Sequence, residues 1–218
     1  MPIKGSNDTL NALTIPERLD FIFNCYSAAD ILVTSSFGAT AAFLLYHLSQ
    51  RSNKPDIYFL NTGFHFSTTL KYRDELANFL KLNIVEVKPN FEDHSFTEYE
   101  KLWESDADAC CNLNKVKPLD TLKKNFKVWV TGLMSVQTPS REKLSIIEKG
   151  DSILKFNPLF DENPNHVLQL LKKLEIPLHP LIEKGYDSLG CLQCTGRGNG
   201  RSGRWPGMRK TEYGLHTK

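Results

Sequence analysis

The sequence predicts an α/β domain: a mainly parallel sheet with helices on both faces, followed by a flexible C-terminal tail. Three observations lead there. Short apolar runs such as ILV, DIYFL, IVEV and FKVWV recur along the chain. Stretches with helical apolar spacing lie between them, and several runs end in turns of Ser, Gly, Asn and Thr. Strands alternating with helices form right-handed βαβ units, and such sheets bind ligands at the carboxyl ends of their strands.

Taken in order, Pro16 to Tyr26 places Leu19, Ile22, Phe23 and Tyr26 on one helical face, with Thr14 as N-cap and Pro16 in the first turn. Cys25 in this helix reads as a small core or boundary residue. Ile31 to Val33 is a strand, Thr34 to Gly38 a polar turn, and Ala39 to Leu48 a helix. Asp56 to Leu60 is a second strand, ending in Asn61-Thr62-Gly63. A helix over Ser67 to Leu80 leads to a third strand at Ile84 to Val87. Phe126 to Val130 is a fourth, ending in Thr131-Gly132. Ile153 to Phe156 reads as a further short strand and Asn165 to Leu174 as an amphipathic helix. Residues 1–194 are expected to form the domain. Residues 195–218, rich in glycine and poor in aliphatic side chains, read as a mobile tail or lid.

Composition narrows the function classes. A chain of 218 residues with 40% hydrophobic content buries a full core. Its formal net charge of +2 argues against a nucleic-acid partner, and no apolar run is long enough to span a bilayer. The polar N-terminus lacks the apolar core of a signal peptide, so a cytoplasmic location is expected. The sequence leaves homo-oligomerisation open.

The cysteines carry the chemistry. Cys110-Cys111 and Cys191-Leu192-Gln193-Cys194 form two tight pairs, a spacing that points to metal or redox chemistry more than to disulfides. Four thiolates complete either a zinc site or an iron–sulfur site. Adjacent cysteines are unusual for structural zinc, and a cluster accepts them because its irons are separate centres. The pattern therefore favours one [4Fe–4S] cluster, with zinc, or unrelated thiols, as the alternatives.

Taken together, Ser-Ser-Phe-Gly-Ala after the first strand, Asn-Thr-Gly after the second, Cys-Cys-x-x-x-Lys, Gly-Cys-x-x-Cys-Thr, Arg-x-x-Arg-Trp and the terminal Lys-Thr-Glu-x-Gly-Leu-His resemble the assimilatory sulfonucleotide reductases. The four cysteines match the branch that reduces adenosine 5′-phosphosulfate. The resemblance implies an adenine-nucleotide α-hydrolase-like fold, a [4Fe–4S] cluster on the four cysteines, and a thioredoxin-like donor. It also implies a reaction in which a tail cysteine attacks the sulfur, releases AMP, and is left as an S-sulfocysteine from which a second thiol frees sulfite. On this resemblance Ser35, Ser36 and Gly38 form the phosphate-side loop. Lys115 lies between cluster and substrate, Arg201 and Arg204 clamp the anion, and His216 matches the terminal histidine.

Four positions depart from the family. Tyr213 stands where the nucleophilic cysteine is expected, and a phenol with an ordinary pKa near 10 does not form the sulfur–sulfur bond the intermediate needs. Leu133 to Gln137 replaces a segment that usually carries arginines, with Arg141 following it. Thr40 stands for an acidic residue and Phe64 for a basic one. The first reading is thus a sulfonucleotide reductase of sulfate assimilation; the second is a nucleotide-binding iron–sulfur protein without reductase activity. A third, adenylation with ATP, lacks the Ser-Gly-Gly loop it would need.

Overall fold

The computed structural model describes residues 7–215 apart from 151 and 209. Its six strands are β1 (Ile31–Thr34), β2 (Ile57–Leu60), β3 (Ile84–Val87), β4 (Val128–Val130), β5 (Ile147–Lys149) and β6 (Leu154–Phe156). They form one sheet in the order β3-β2-β1-β4-β6-β5. All pairings are parallel except that of the edge strand β5 with β6. The helices are α1 (Asn7–Asn11), α2 (Ile15–Cys25), α3 (Ala41–Ser49), α4 (Ser67–Leu80), α5 (Phe91–Tyr99), α6 (Leu102–Ser105), α7 (Ala107–Cys111), α8 (Lys117–Lys123) and α9 (Pro164–Lys173).

Burial follows the parallel-sheet logic. The central strands read as unbroken apolar runs because helices cover both their faces: Ile31, Leu32 and Val33 of β1 and Val128, Trp129 and Val130 of β4 are all buried. Helix α3 is apolar almost all round and is packed in the core through Ala42, Phe43, Leu44, Leu45 and Leu48. The strand order matters most for function. The chain builds β1, β2 and β3 outward in one direction, then returns to the other side of β1 to lay down β4. That reversal leaves a crevice at the carboxyl ends of β1 and β4.

The expected strands and long helices are present with ends shifted by a residue or two. Helix α2 starts as read, with Glu17 accepting the Thr14 N–H at 2.8 Å. Cys25 is a correction: it is exposed at the end of α2, where the buried stripe of Leu19 and Ile22 has already turned away. Among the described residues no helix is long and apolar enough to cross a membrane.

Candidate functional site

A cavity of about 670 Å³ opens at the reversal of strand order. The turn after β1 supplies Ser35, Ser36 and Gly38, the turn after β4 supplies Thr131 to Leu133, and β2 contributes Leu60 and the nearby His65. The β1 turn is held in an uncommon shape. Phe37, fully buried, sits at a left-handed φ of 50°, a conformation costing a non-glycine residue about 1–3 kcal/mol. Its ring packs on Phe59 at 5.8 Å, and its N–H bonds the Ser35 hydroxyl at 3.2 Å. Core packing thus fixes a turn whose serines face the cavity.

The turn after β2 needs its glycine. Gly63 has φ +78°, and a Cβ there would lie 2.5 Å from the His94 imidazole. This turn delivers Thr62, whose hydroxyl is 3.4 Å from the Cys191 sulfur. It also delivers His65, which the sequence reading passed over. Burial pushes the His65 pKa down to about 4, and its Nε2 bonds the Leu60 carbonyl at 3.0 Å. The neutral ring therefore donates from Nε2, leaving Nδ1 without a partner among the described residues. The signal was present: a histidine two residues past a strand-end glycine.

Four buried thiols stand beside the cavity. Cys110 and Cys111 end α7, while Cys191 caps and Cys194 ends a single helical turn, Leu192–Cys194, and Cys191 pairs with His65. Burial pushes the Cys110 thiol up to about 12, and the charges of Cys111, Cys191 and Cys194 push the same way. Cys191 behaves differently. Burial opposes its ionisation, but Lys115, the Thr62 hydroxyl and Arg204 outweigh it and hold the pKa below the ordinary thiol value. Among the described residues no three His, Cys, Asp or Glu side chains gather around a single-ion position.

Cations line the same space. Lys115 is buried, with no carboxylate partner among the described residues. Burial disfavours its charge, yet Cys191, Tyr213 and Cys111 more than compensate and raise its pKa. Arg204, also buried, donates to Thr195 Oγ1 at 2.5 Å, and its guanidinium lies over Gly190, where a Cβ would displace it. Its Nε and Nη2, Arg201 Nε and Trp205 Nε1 are buried donors with no acceptor among the described residues.

The tail closes over these groups. Trp205 is buried, and its N–H bonds the Cys194 carbonyl at 3.0 Å. Glu212 meets Arg141 in a two-pronged pair of 2.7 and 2.9 Å, each side chain only 7% exposed. The Tyr213 ring lies 4.1 Å from Lys115 Nζ, 5.1 Å from the Arg204 guanidinium carbon and 5.7 Å from that of Arg201. The structure thus brings together Ser35, Ser36, Gly38, Lys115, Arg201, Arg204, Tyr213 and the four cysteines. His216 lies outside the described residues. Of the residues predicted as a mobile tail or lid, Asn199, Gly200, Arg201, Tyr213 and Leu215 line the cavity, Gly203, Arg204 and Trp205 are buried, and Pro206, Gly207 and Met208 are exposed; the lack of aliphatic side chains hid the anchors Trp205 and Glu212.

The sheet order and the strand-end cavity define an α/β fold of the adenine-nucleotide α-hydrolase-like class. At the level of fold alone it resembles Candida glabrata FMN adenylyltransferase in complex with ATP (TM-score 0.58, 20% identity, covering 84% of this chain and 60% of that one). More particularly, the chain belongs to the phosphoadenosine phosphosulfate reductase domain family, whose model matches residues 30–197. It is 33% identical to an adenosine 5′-phosphosulfate reductase of Oceanobacillus iheyensis over 91% of this chain and 86% of that protein. It is 34% identical to a phosphoadenosine 5′-phosphosulfate reductase of Gloeobacter violaceus over 85% and 82%. The crystal structure of phosphoadenylyl-sulfate reductase from Candida auris, a phosphate complex, matches with a TM-score of 0.76 and 26% identity, covering 87% of this chain and 94% of that one.

Proposed function

We propose that this chain binds adenosine 5′-phosphosulfate across the strand ends and serves its reduction to sulfite and AMP in sulfate assimilation, in the cytoplasm. One observation carries the reading: buried Lys115 lines the strand-end cavity and, together with buried Arg204, acts electrostatically on the neighbouring thiols. Ser35, Ser36 and Gly38 would receive the phosphate side, Lys115 would face phosphate or sulfate as a point charge, and Arg201 and Arg204 would clamp the anion. His216 is a further candidate from the sequence. Residues 1–194 act as the binding domain and 195–218 as its closing segment.

Cys110, Cys111, Cys191 and Cys194 suit a [4Fe–4S] cluster. The four thiols are buried and interact with one another, and four thiolates are the ligand set such a cluster takes, with zinc as the alternative. The buried N–H donors of Arg204 and Trp205 also call for acceptors of the kind anionic sulfur provides. Bound there, a cluster would supply a fixed charge beside Lys115.

Reduction needs two thiols. The first attacks the sulfate sulfur and breaks its bond to the bridging oxygen, so that AMP leaves. An S-sulfo adduct of the first thiol remains; the second thiol attacks the first thiol's own sulfur and breaks its bond to the sulfonate, so that sulfite leaves and a disulfide forms. Tyr213 cannot supply the first, so in this reading both come from a thioredoxin-like dithiol. A second reading is favoured by Tyr213 itself, whose ring already engages the cations: a nucleotide-binding iron–sulfur protein without turnover. The experiment is an anaerobic assay of sulfite release from adenosine 5′-phosphosulfate with reduced thioredoxin, alongside iron and sulfide content. Sulfite from the wild type supports the first reading. Sulfite only from Tyr213→Cys supports the second, and failure of both proteins to bind AMP or the sulfonucleotide refutes both.

A further inference from the structure

Between the paired cysteines and Lys115 the helix changes register. Residues Asn112–Val116 form a π-helical turn, in which the Lys117 N–H reaches back five residues to the Asn112 carbonyl. Pro118 follows at once. It brings no N–H, so one carbonyl of the preceding turn lacks its four-residue partner, and a widened turn relieves this. Such a turn is costly unless something holds it. Asn114, 2% exposed, lies in its middle.

The Asn114 amide makes two bonds there. Its Nδ2 donates to the Cys110 carbonyl at 2.9 Å, four residues back, and to Thr97 Oγ1 on α5 at 2.8 Å. Thr97, buried in turn, donates to the Asp93 carbonyl at 2.8 Å. Asn114 therefore supplies a side-chain donor to the Cys110 carbonyl where the main chain leaves its regular pattern. It also ties the cysteine-bearing helix to its neighbour α5.

We propose that Asn114 is a positioning residue for the thiol site: its amide holds the π-turn so that Cys110 and Cys111 on one side, and Lys115 on the other, face the same buried space. A shorter route to the same end, a regular helix, is blocked by Pro118. The proposal rests on the cluster reading for its first measurement and stands apart from it for the second.

The test uses Asn114→Leu, which keeps size and loses both bonds, and Asn114→Asp, which keeps shape and loses the donors. Val167→Ala, a buried truncation on α9, serves as a control for general destabilisation. Each purified holoprotein is followed by its visible iron–sulfur absorption during challenge with a chelator, and by AMP affinity at matched fractions folded. Both Asn114 variants are expected to lose iron on the order of tenfold faster than wild type and to bind AMP more weakly, while Val167→Ala does neither. Wild-type rates and AMP affinity in Asn114→Leu would overturn the proposal. A wild-type protein without iron would refute the cluster reading instead; AMP affinity then decides the role of Asn114 through Lys115.

Discussion

Replacing Glu212 with alanine is expected to free the closing segment while leaving the sheet folded. The carboxylate accepts from Arg141 Nε and Nη2 at 2.7 and 2.9 Å and from the Thr138 hydroxyl at 2.8 Å, with Arg201 a further 3.6 Å away. Removing one member of a buried pair leaves the other charge stranded, which costs about 3–5 kcal/mol. Arg141 relaxes that cost by letting the segment detach, so the open population rises on the order of 10²- to 10⁴-fold. Tryptic cleavage near Lys210 and Arg204, followed by mass spectrometry, reads this population directly when reclosing is fast. Unaltered cleavage in Glu212→Ala, with an unaltered melting temperature, would refute the latch. The same pair sets an acid dependence. Burial tends to raise the Glu212 pKa, but the Arg141 bonds and charge outweigh it and hold it below the usual carboxylate range. The pair's stabilisation is therefore present above that range and is lost only as pH falls through the lower folded value.

Two further outcomes follow from buried groups. Lys115→Met should keep the fold and weaken AMP or sulfonucleotide binding by roughly tenfold or more, as a charge-assisted contact is lost; calorimetric titration measures it, and wild-type affinity would remove Lys115 from the binding site. His65 and His179 are both pushed down to about 4 by burial. Between about pH 6.5 and 4 only the unfolded chain protonates them, so stability falls as pH drops, by up to about 1.4 kcal/mol per unit for each ring. Urea denaturation at stepped pH measures the slope, and a flat profile would contradict the buried neutral rings.

Much of this was legible in the chain. Buried parallel strands announce themselves as unbroken apolar runs, as in ILVT and VWV, and α9 shows its buried side through Val167 and Leu171. The cysteine spacing marked the thiol site because covalent chemistry restricts which residues serve. Short helices α5 to α7 were not legible. Their sequence is acidic and aromatic, with Phe91 and Tyr99 more than four-fifths exposed, so no apolar period signals them. Strand β5 pairs with only three residues at an edge and carries Glu148 and Lys149. Cys25 misled because a helical stripe seen from sequence does not say where the helix leaves the core. The partnership of Arg141 with Glu212 spans 71 residues, and local pattern carries no trace of such a contact.

The two cysteine pairs also have a topological meaning. Cys111 and Cys191 bracket about 80 residues, a stretch that contains α8, β4, β5, β6 and α9. Any group gripped by both pairs is a cross-link, joining the end of one short helix to the loop that leads into the closing segment. A cross-link over such a span removes chain entropy from the unfolded ensemble, and the gain grows slowly with loop length. On the cluster proposal the thiol site is a staple on half the sheet as well as a neighbour of the cavity, and removal of the cluster is expected to lower the melting of β4 and β6.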